Sequence, residues 1–367
     1  MKKTVLLCAL ALSLSAALFG QTLGRVEYLE GKAELTRNGE VLKGVDIGTK
    51  IENLDIVTTD GDSSVTIAFT RESGLTGTLQ IVPSTTAVIR QDQINSKPSN
   101  DIKLLTGSIK MKVERIAGMN SSVQVRTPSS VLGVRGTEFV VATFNGATLV
   151  GCSSHSVWCS PYDEVSGTGS VSSSKGSLAE PGTMVSVLEN GSFAPIAYDK
   201  ARFDENWKSV SAKWRAFNED LVSANPVAFI DQFVGNWDRY SADVLAADRK
   251  LRSNRTLLSW LDAASKGKSI GTFQNWVKER PSVVQDLIAM RQPMIPVIIT
   301  VYRLQELIPL VSEAEMGKKL SNGKTVREFI AAYRRDSQKV TLAIALFTAA
   351  EKQYMLRNDG ISPFSDF

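Results

Sequence analysis

The chain has 367 residues, more than one ordinary core requires and enough for two domains of common size. Hydrophobic residues make up 43% and charged residues 22%, a balance that excludes disorder over most of the length. The formal net charge is only +4 and no Lys/Arg cluster stands out, which excludes nucleic acid or anionic lipid as a partner held by charge.

Met1-Lys2-Lys3-Thr4 is a short basic start, Val5 to Phe19 is an apolar run, and Ala16, Ala17 and Gly20 are small residues near its end. This is the anatomy of a secretory signal peptide over residues 1–20, cut after Gly20 although Leu18 stands where a small residue is usual. Two alternatives fit less well. An uncleaved anchor needs ~20 apolar residues, and an acylated Cys8 would put the cut inside the apolar run. The chain is therefore expected to be exported, to the periplasm or cell envelope, and to carry no integral membrane span once mature.

Residues 21–198 alternate with period two and are rich in Val, Ile, Thr and Ser. Arg25 to Leu29, Lys32 to Arg37, Ser63 to Phe69 and Ser122 to Arg126 are examples. Asn38-Gly39 separates two such runs and predicts a type I′ hairpin, whose central residues both need positive φ. Many short strands divided by Gly, Asn and Asp predict an all-β domain: a sandwich, a barrel or a β-solenoid.

With Cys8 removed, Cys152 and Cys159 remain. Two cysteines this close in an oxidising compartment predict one disulfide that staples a hairpin. The only histidine, His155, lies between them. Cys152, His155 and Cys159, with Asp163 or Glu164, have a spacing that zinc could use, but a thiolate site is unusual after export. No Gly-x-Ser-x-Gly elbow accompanies His155, and a histidine at a hairpin tip lacks the group that would orient it as a base. Ser166 to Ser177 is a Gly/Ser-rich loop without the Lys-Ser/Thr ending of a phosphate-binding loop. No catalytic set, cofactor site or metal site is expected.

Residues 199–367 change to helical spacing. Phe203, Trp207, Val210, Trp214, Phe217 and Leu221 form a heptad-like seam expected to be buried. Asn225-Pro226 ends that helix and starts the next, whose buried side is read as Phe229, Phe233, Trp237, Tyr240 and Val244. Further helices are predicted near 254–266, 270–291, 293–311 and 325–358, with Gly360 at a left-handed cap. The runs Met294 to Tyr302 and Val340 to Ala350 are too short to span a membrane, and Lys339 and Glu351 bracket the second. Phe-x-x-Asn-Trp occurs at Phe203 and Phe233, either as a duplicated helical unit or as core aromatics with chance neighbours. The whole is then α+β by segregated domains: an all-β domain followed by an all-α helical bundle, each with its own core.

The stretch from Val123 to Val141 contains Thr127-Pro128, then Gly133-Val134-Arg135-Gly136-Thr137-Glu138-Phe139. It resembles the signature of the FecR family. Supporting matches stand upstream in order: Gly24, Gly31, Leu42 to Asp46, Leu54 to Thr58, and Leu105 to Lys110. The resemblance covers roughly 24–145. It implies an exported β-domain, a twisted β-solenoid or β-roll, that works through protein contacts. Some proteins of this family pair with sigma factors, and those need a cytoplasmic portion. Only Met1 to Thr4 precede the apolar segment here, so that role is not carried over.

Within the signature, Pro128 lacks an N–H and should end a strand. Gly133 should permit a reversal and Gly136 a bulge that brings Arg135 and Glu138 to one side as an architectural ion pair. The expectation is an exported scaffold or adaptor for an envelope protein, itself able to form a homo-oligomer. The alternative is an envelope-polysaccharide (peptidoglycan) binder using exposed Trp or Tyr rings.

Overall fold

The structure, a computed structural model, describes residues 22–94, 97–115, 122–134, 136–162, 175–268 and 271–364. The leader expected over residues 1–20 lies outside these, as do Arg135, Asp163, Glu164 and most of the Gly/Ser-rich loop.

Strands come first: β1 (Thr22–Glu30), β2 (Ala33–Arg37), β3 (Glu40–Leu42), β4 (Lys50–Glu52), β5 (Asp55–Thr59), β6 (Ser64–Phe69), β7 (Leu75–Ile81), β8 (Thr86–Ile94) and the 19-residue β9 (Lys97–Arg115). Then follow β10 (Ser122–Arg126), β11 (Ser130–Val134), β12 (Glu138–Phe144), β13 (Ala147–Cys152), β14 (Val157–Pro161), β15 (Ser177–Ala179), β16 (Thr183–Val187) and β17 (Phe193–Ala197). They pair in two layers. The first has the order β4-β1-β6-β7-β9-β12-β13-β16-β17, antiparallel throughout. The second runs β3-β2-β5-β8-β9-β10-β11-β14-β15, where only β9 and β10 are parallel. Neither layer closes into a barrel.

β9 is central in both. Lys97 to Thr106 pair in the second layer and Gly107 to Arg115 in the first. The bend falls at Gly107, with φ +89°. A Cβ there would collide with Thr85 Oγ1 and sit 2.6 Å from the Ser84 carbonyl oxygen, so only glycine fits. Alternation then does the rest: β5, for example, is buried at every second residue. Leu35, Val57, Ile89 and Leu104 of one layer meet Val26, Ile67, Met111 and Val141 of the other in one core. Each such side chain contributes roughly 1.5–3 kcal/mol on burial. The Asn38-Gly39 hairpin forms as expected, with φ of +52° and +83° between β2 and β3. Asn145-Gly146 makes a second one between β12 and β13, with φ of +44° and +81°.

Five helices follow among the described residues: α1 (Phe203–Ala224), α2 (Pro226–Ser253), α3 (Arg255–Ser265), α4 (Phe273–Leu307) and α5 (Val326–Arg357). Pro226 takes the tolerated first-turn position of α2, and Thr325 and Glu328 form a capping box at the start of α5. At the end of α5 the Gly360 N–H returns to the Met355 carbonyl at 2.9 Å, closing the last turn with Asp359 and Gly360 at positive φ.

Three expectations need correcting. The two helices read over 270–291 and 293–311 are one, α4, which runs through Pro281, Pro293 and Pro296. Its buried stripe, Val283, Leu287, Met290, Met294, Val297, Val301 and Leu304, keeps helical spacing across the prolines, and tertiary packing offsets the lost backbone bonds. The helical core is also not built from helices alone. Val140, Phe144, Ala147, Leu149 and Met184, on the outer side of the first layer, belong to the same cluster as the helices. Finally, the seam of α1 is buried only in part. Phe203 and Trp214 are buried, but Phe217 and Leu221 are 66% and 53% exposed, and Asn218 and Val222 take their places. A strict 3.5-residue repeat drifts off the contact face of a straight 3.6-residue helix.

Gln274–Leu310 is long and apolar enough to cross a membrane, by length and composition, but 56% of its most apolar window is packed inside the fold. That is what a central core helix looks like.

Candidate functional site

Thr127, Pro128 and Ser129 form the turn between β10 and β11, so Pro128 does follow a strand end. Thr127 N–H donates to the Ser130 carbonyl at 2.9 Å, and the Ser130 N–H donates to Thr127 Oγ1 at 3.0 Å. The turn is buried against β13. Thr127 Oγ1 and Ser129 Oγ lie 2.6 and 2.9 Å from Thr148 Oγ1, and Ser130 Oγ donates to the Ser160 carbonyl at 2.9 Å. Hydroxyls this deep stay only where each finds a partner.

Gly133 does not make a reversal. It lies inside β11, opposite Gln124 on one side and Trp158 on the other, because the chain continues straight to Val134. Gly136, with φ +59°, stands between β11 and β12, where the chain crosses from the second layer to the first, rather than at a bulge within a strand. Val134 and Phe139 are in the interlayer core. Thr137 Oγ1 donates to the Ser154 carbonyl, and the Thr137 carbonyl accepts from Val113 N–H at 3.1 Å. Glu138 pairs with Lys110 at 3.0 Å, while Arg135 lies outside the described residues.

Cys152 and Cys159 are free, not joined in a disulfide. Nor do they face each other across a hairpin. β13 pairs with β12 and β16 in the first layer, and β14 pairs with β11 and β15 in the second. The segment between them is an arc from layer to layer, not a hairpin. Each thiol turns to a backbone carbonyl instead: Cys152 Sγ to Ala179 at 3.2 Å, Cys159 Sγ to Val157 at 3.8 Å. Burial pushes the Cys152 thiol up to about 11 and the Cys159 thiol up to about 12, so both are inert near neutral pH. His155 is exposed on the arc at φ +58°, and it does not converge with the two cysteines as a ligand set.

The densest polar chemistry lies where α4 and α5 meet the strands. Lys352 is 3% exposed, with Nζ 2.8 Å from Glu52 Oε2 and 3.8 Å from Asp55 Oδ1. Arg37 forks onto Asp55 (Nε–Oδ1 2.9 Å, Nη2–Oδ2 2.6 Å) and reaches Glu52 at 3.0 Å. Burial pushes the Asp55 carboxyl up, against the pull of Arg37 and Lys352. The preceding residue carries the opposite charge: Glu351 accepts from Arg90 at 2.9 Å and from Ser362 at 2.7 Å, and Arg90 also holds Asp92 at 2.7 Å. A second cluster joins α4 to the strands. Glu306 accepts from Asn145 N–H at 2.8 Å and from Thr106 Oγ1, with Arg303 3.9 Å away. Burial raises the Glu306 carboxyl as well. The glycine of the Asn145-Gly146 turn stands at φ +81°, which disfavours any side chain, and a Cβ there would also meet the Arg303 guanidinium. Buried charges cost desolvation, so these pairs fix how the helices sit on the strands more than they stabilise them.

In the sequence Glu351 stands out only as the bracket of an apolar run, and Lys352 does not stand out at all. The signal was there: Ile344, Phe347, Glu351 and Tyr354 fall on one helical stripe, which places a carboxylate on the buried face. Of the two Phe-x-x-Asn-Trp tryptophans, Trp237 is buried and Trp207 is half-buried against β13. A crevice between Leu105, Pro128, Ile298, Ile299, Tyr302 and Arg303 holds about 10 Å³, room for roughly one water.

Residues 55–157 match the family described as FecR protein. This span contains the whole signature and β9. Two crystal structures are similar over part of the chain. One, at 1.65 Å resolution, is of a protein provisionally described as an anti-sigma factor from Parabacteroides distasonis. It is 14% identical and covers 40% of this chain and 61% of that one, with a TM-score of 0.30. Another with the same description and source, at 2.50 Å, is 14% identical and covers 49% of this chain and 64% of that one, with a TM-score of 0.25. The chain thus spans less than two thirds of either. No curated protein matches it.

Proposed function

From the premise that residues 55–157 form a FecR domain, we infer that this protein is an exported, non-catalytic scaffold or adaptor of the periplasm or cell envelope, with a regulatory or signalling role exerted through protein contacts. The observation that carries the reading is the family match itself. Proteins of this family work at the envelope or membrane and through protein partners. The leader-like start of the sequence supports export. The site residues support a surface role: the signature side chains are taken up in turns, layer crossings and core, and the buried ions in docking helices on strands. What is left for partners is the outer surface. The two-layer β-region is read as a twisted solenoid-like ladder, and the helices as the bundle that orients it.

Photo-crosslinking in intact cells, followed by identification of the captured proteins, tests this. An envelope protein captured reproducibly from positions on the β-region is the expected result. Recovery of the chain from the cytoplasm with its first 20 residues intact, or capture no different from a scrambled-position control, would overturn it.

A further inference from the structure

α1 has a second apolar face. Its inner side, Phe203, Trp207 and Trp214, packs on β13 and β16, and Trp214 Nε1 donates to Ser186 Oγ at 3.0 Å. About a quarter-turn away, Lys213, Phe217, Asp220, Leu221 and Ala224 share a stripe roughly 100° wide at ~100° per residue. Phe217 is 66% exposed and Leu221 53%. They stand four residues apart, one above the other on the helix surface. Lys213 and Asp220 are exposed and enter no ion pair among the described residues, whereas the neighbouring Arg215 is paired with Glu219 at 2.7 Å. Phe217 therefore has a free cation on its N-terminal side and a free anion on its C-terminal side.

That order of charges identifies what covers the stripe. Two copies of α1 laid antiparallel about a two-fold axis at Phe217 place the two rings in contact and Leu221 beside them. Lys213 lies four residues before the axis and Asp220 three after. Each lysine then comes within about one residue's rise, roughly 1.5 Å along the axis, of the other copy's aspartate. The same stripe laid parallel would set Lys213 against Lys213 and Asp220 against Asp220. A two-fold contact needs a self-complementary surface, and this one is.

We propose that the outer face of α1 is a homodimer interface, in which Phe217 and Leu221 pack across a two-fold axis and Lys213 pairs with Asp220 of a second copy. The contact is small, so its affinity is modest, on the order of micromolar.

Sedimentation equilibrium of the purified protein over a concentration series tests it. A monomer–dimer equilibrium is expected, weakened about ten-fold or more by Phe217→Ser or Leu221→Ser. Far-UV circular dichroism and melting should be unchanged, since neither side chain is buried. Lys213→Asp and Asp220→Lys should each weaken the dimer, because each sets like charges together. The double variant Lys213→Asp/Asp220→Lys should restore it, because the exchanged charges meet again across the axis. A protein that stays monomeric at every concentration overturns the proposal and leaves the stripe to a different partner. So does a dimer untouched by Phe217→Ser, or a double variant as weak as the single ones.

Discussion

Lys352 offers the sharpest test of how helices and strands are joined. In Lys352→Met the aliphatic stem keeps its packing and only the ammonium is lost. Asp55, with a side chain 0% exposed, then keeps only Arg37 and the Glu52 N–H, 2.7 Å from Oδ2, and Glu52, 19% exposed, loses its 2.8 Å partner. Removing one member of a buried pair costs roughly 3–5 kcal/mol. Arg37 remains and Glu52 is partly hydrated, so the lower end, about 3 kcal/mol, is expected. At roughly 2 cal/mol/K per residue, a unit of this size unfolds with an entropy near ~0.7 kcal/mol/K, so the midpoint should fall by about 4 °C if strands and helices melt together. Urea titration followed by tryptophan fluorescence reports mostly on the helices, since Trp207, Trp214, Trp237, Trp260 and Trp276 lie there and Trp158 lies in β14. Circular dichroism reports on the whole. A cycle with Glu52→Gln should return a coupling of about 1–2 kcal/mol. A loss below about 0.5 kcal/mol, or strictly additive effects in the cycle, would refute the idea that this pair joins the two regions.

Three further outcomes are expected. Gly107→Ala forces a Cβ against Thr85 at a positive φ and should cost about 3 kcal/mol or more, lowering the yield of folded protein and its urea midpoint. Glu306 has a carboxyl raised by burial. Its contribution is therefore fully present below its unfolded value and is lost as pH rises through the higher folded value, so Glu306→Gln should gain on the wild type as pH rises from mildly acidic to neutral. A constant difference in melting temperature over that range would contradict this. Iodoacetamide should label Cys152 and Cys159 only after unfolding, and peptide mass spectrometry of native and denatured samples checks it.

Local chemistry was legible where one or two residues decide the backbone. Asn38-Gly39 demanded its hairpin and Asn225-Pro226 its helix boundary, and both are found. The signature segment was legible as well, since it lies within residues 55–157, which match the family. Legibility failed where a choice depends on distant residues. Alternation tells which side of a strand is buried but not which layer the strand joins, so Cys152 to Cys159 read as a hairpin when it is an arc between layers. The prolines of α4 argued locally for a break that packing overrode. The seam of α1 gave the right helix and the wrong end of its buried face, since small differences in period accumulate over five turns. Glu351 and Lys352 escaped because charge suggests solvent unless the stripe around it is read first.

The position of β9 bears on how the chain comes together. Every strand before it lies on one side of it in both layers, and every strand after it on the other. A polypeptide delivered amino end first could assemble its earlier half onto this shared spine before the later half arrives. The finished edge would then template the remainder, and the helices would close over strands already in place.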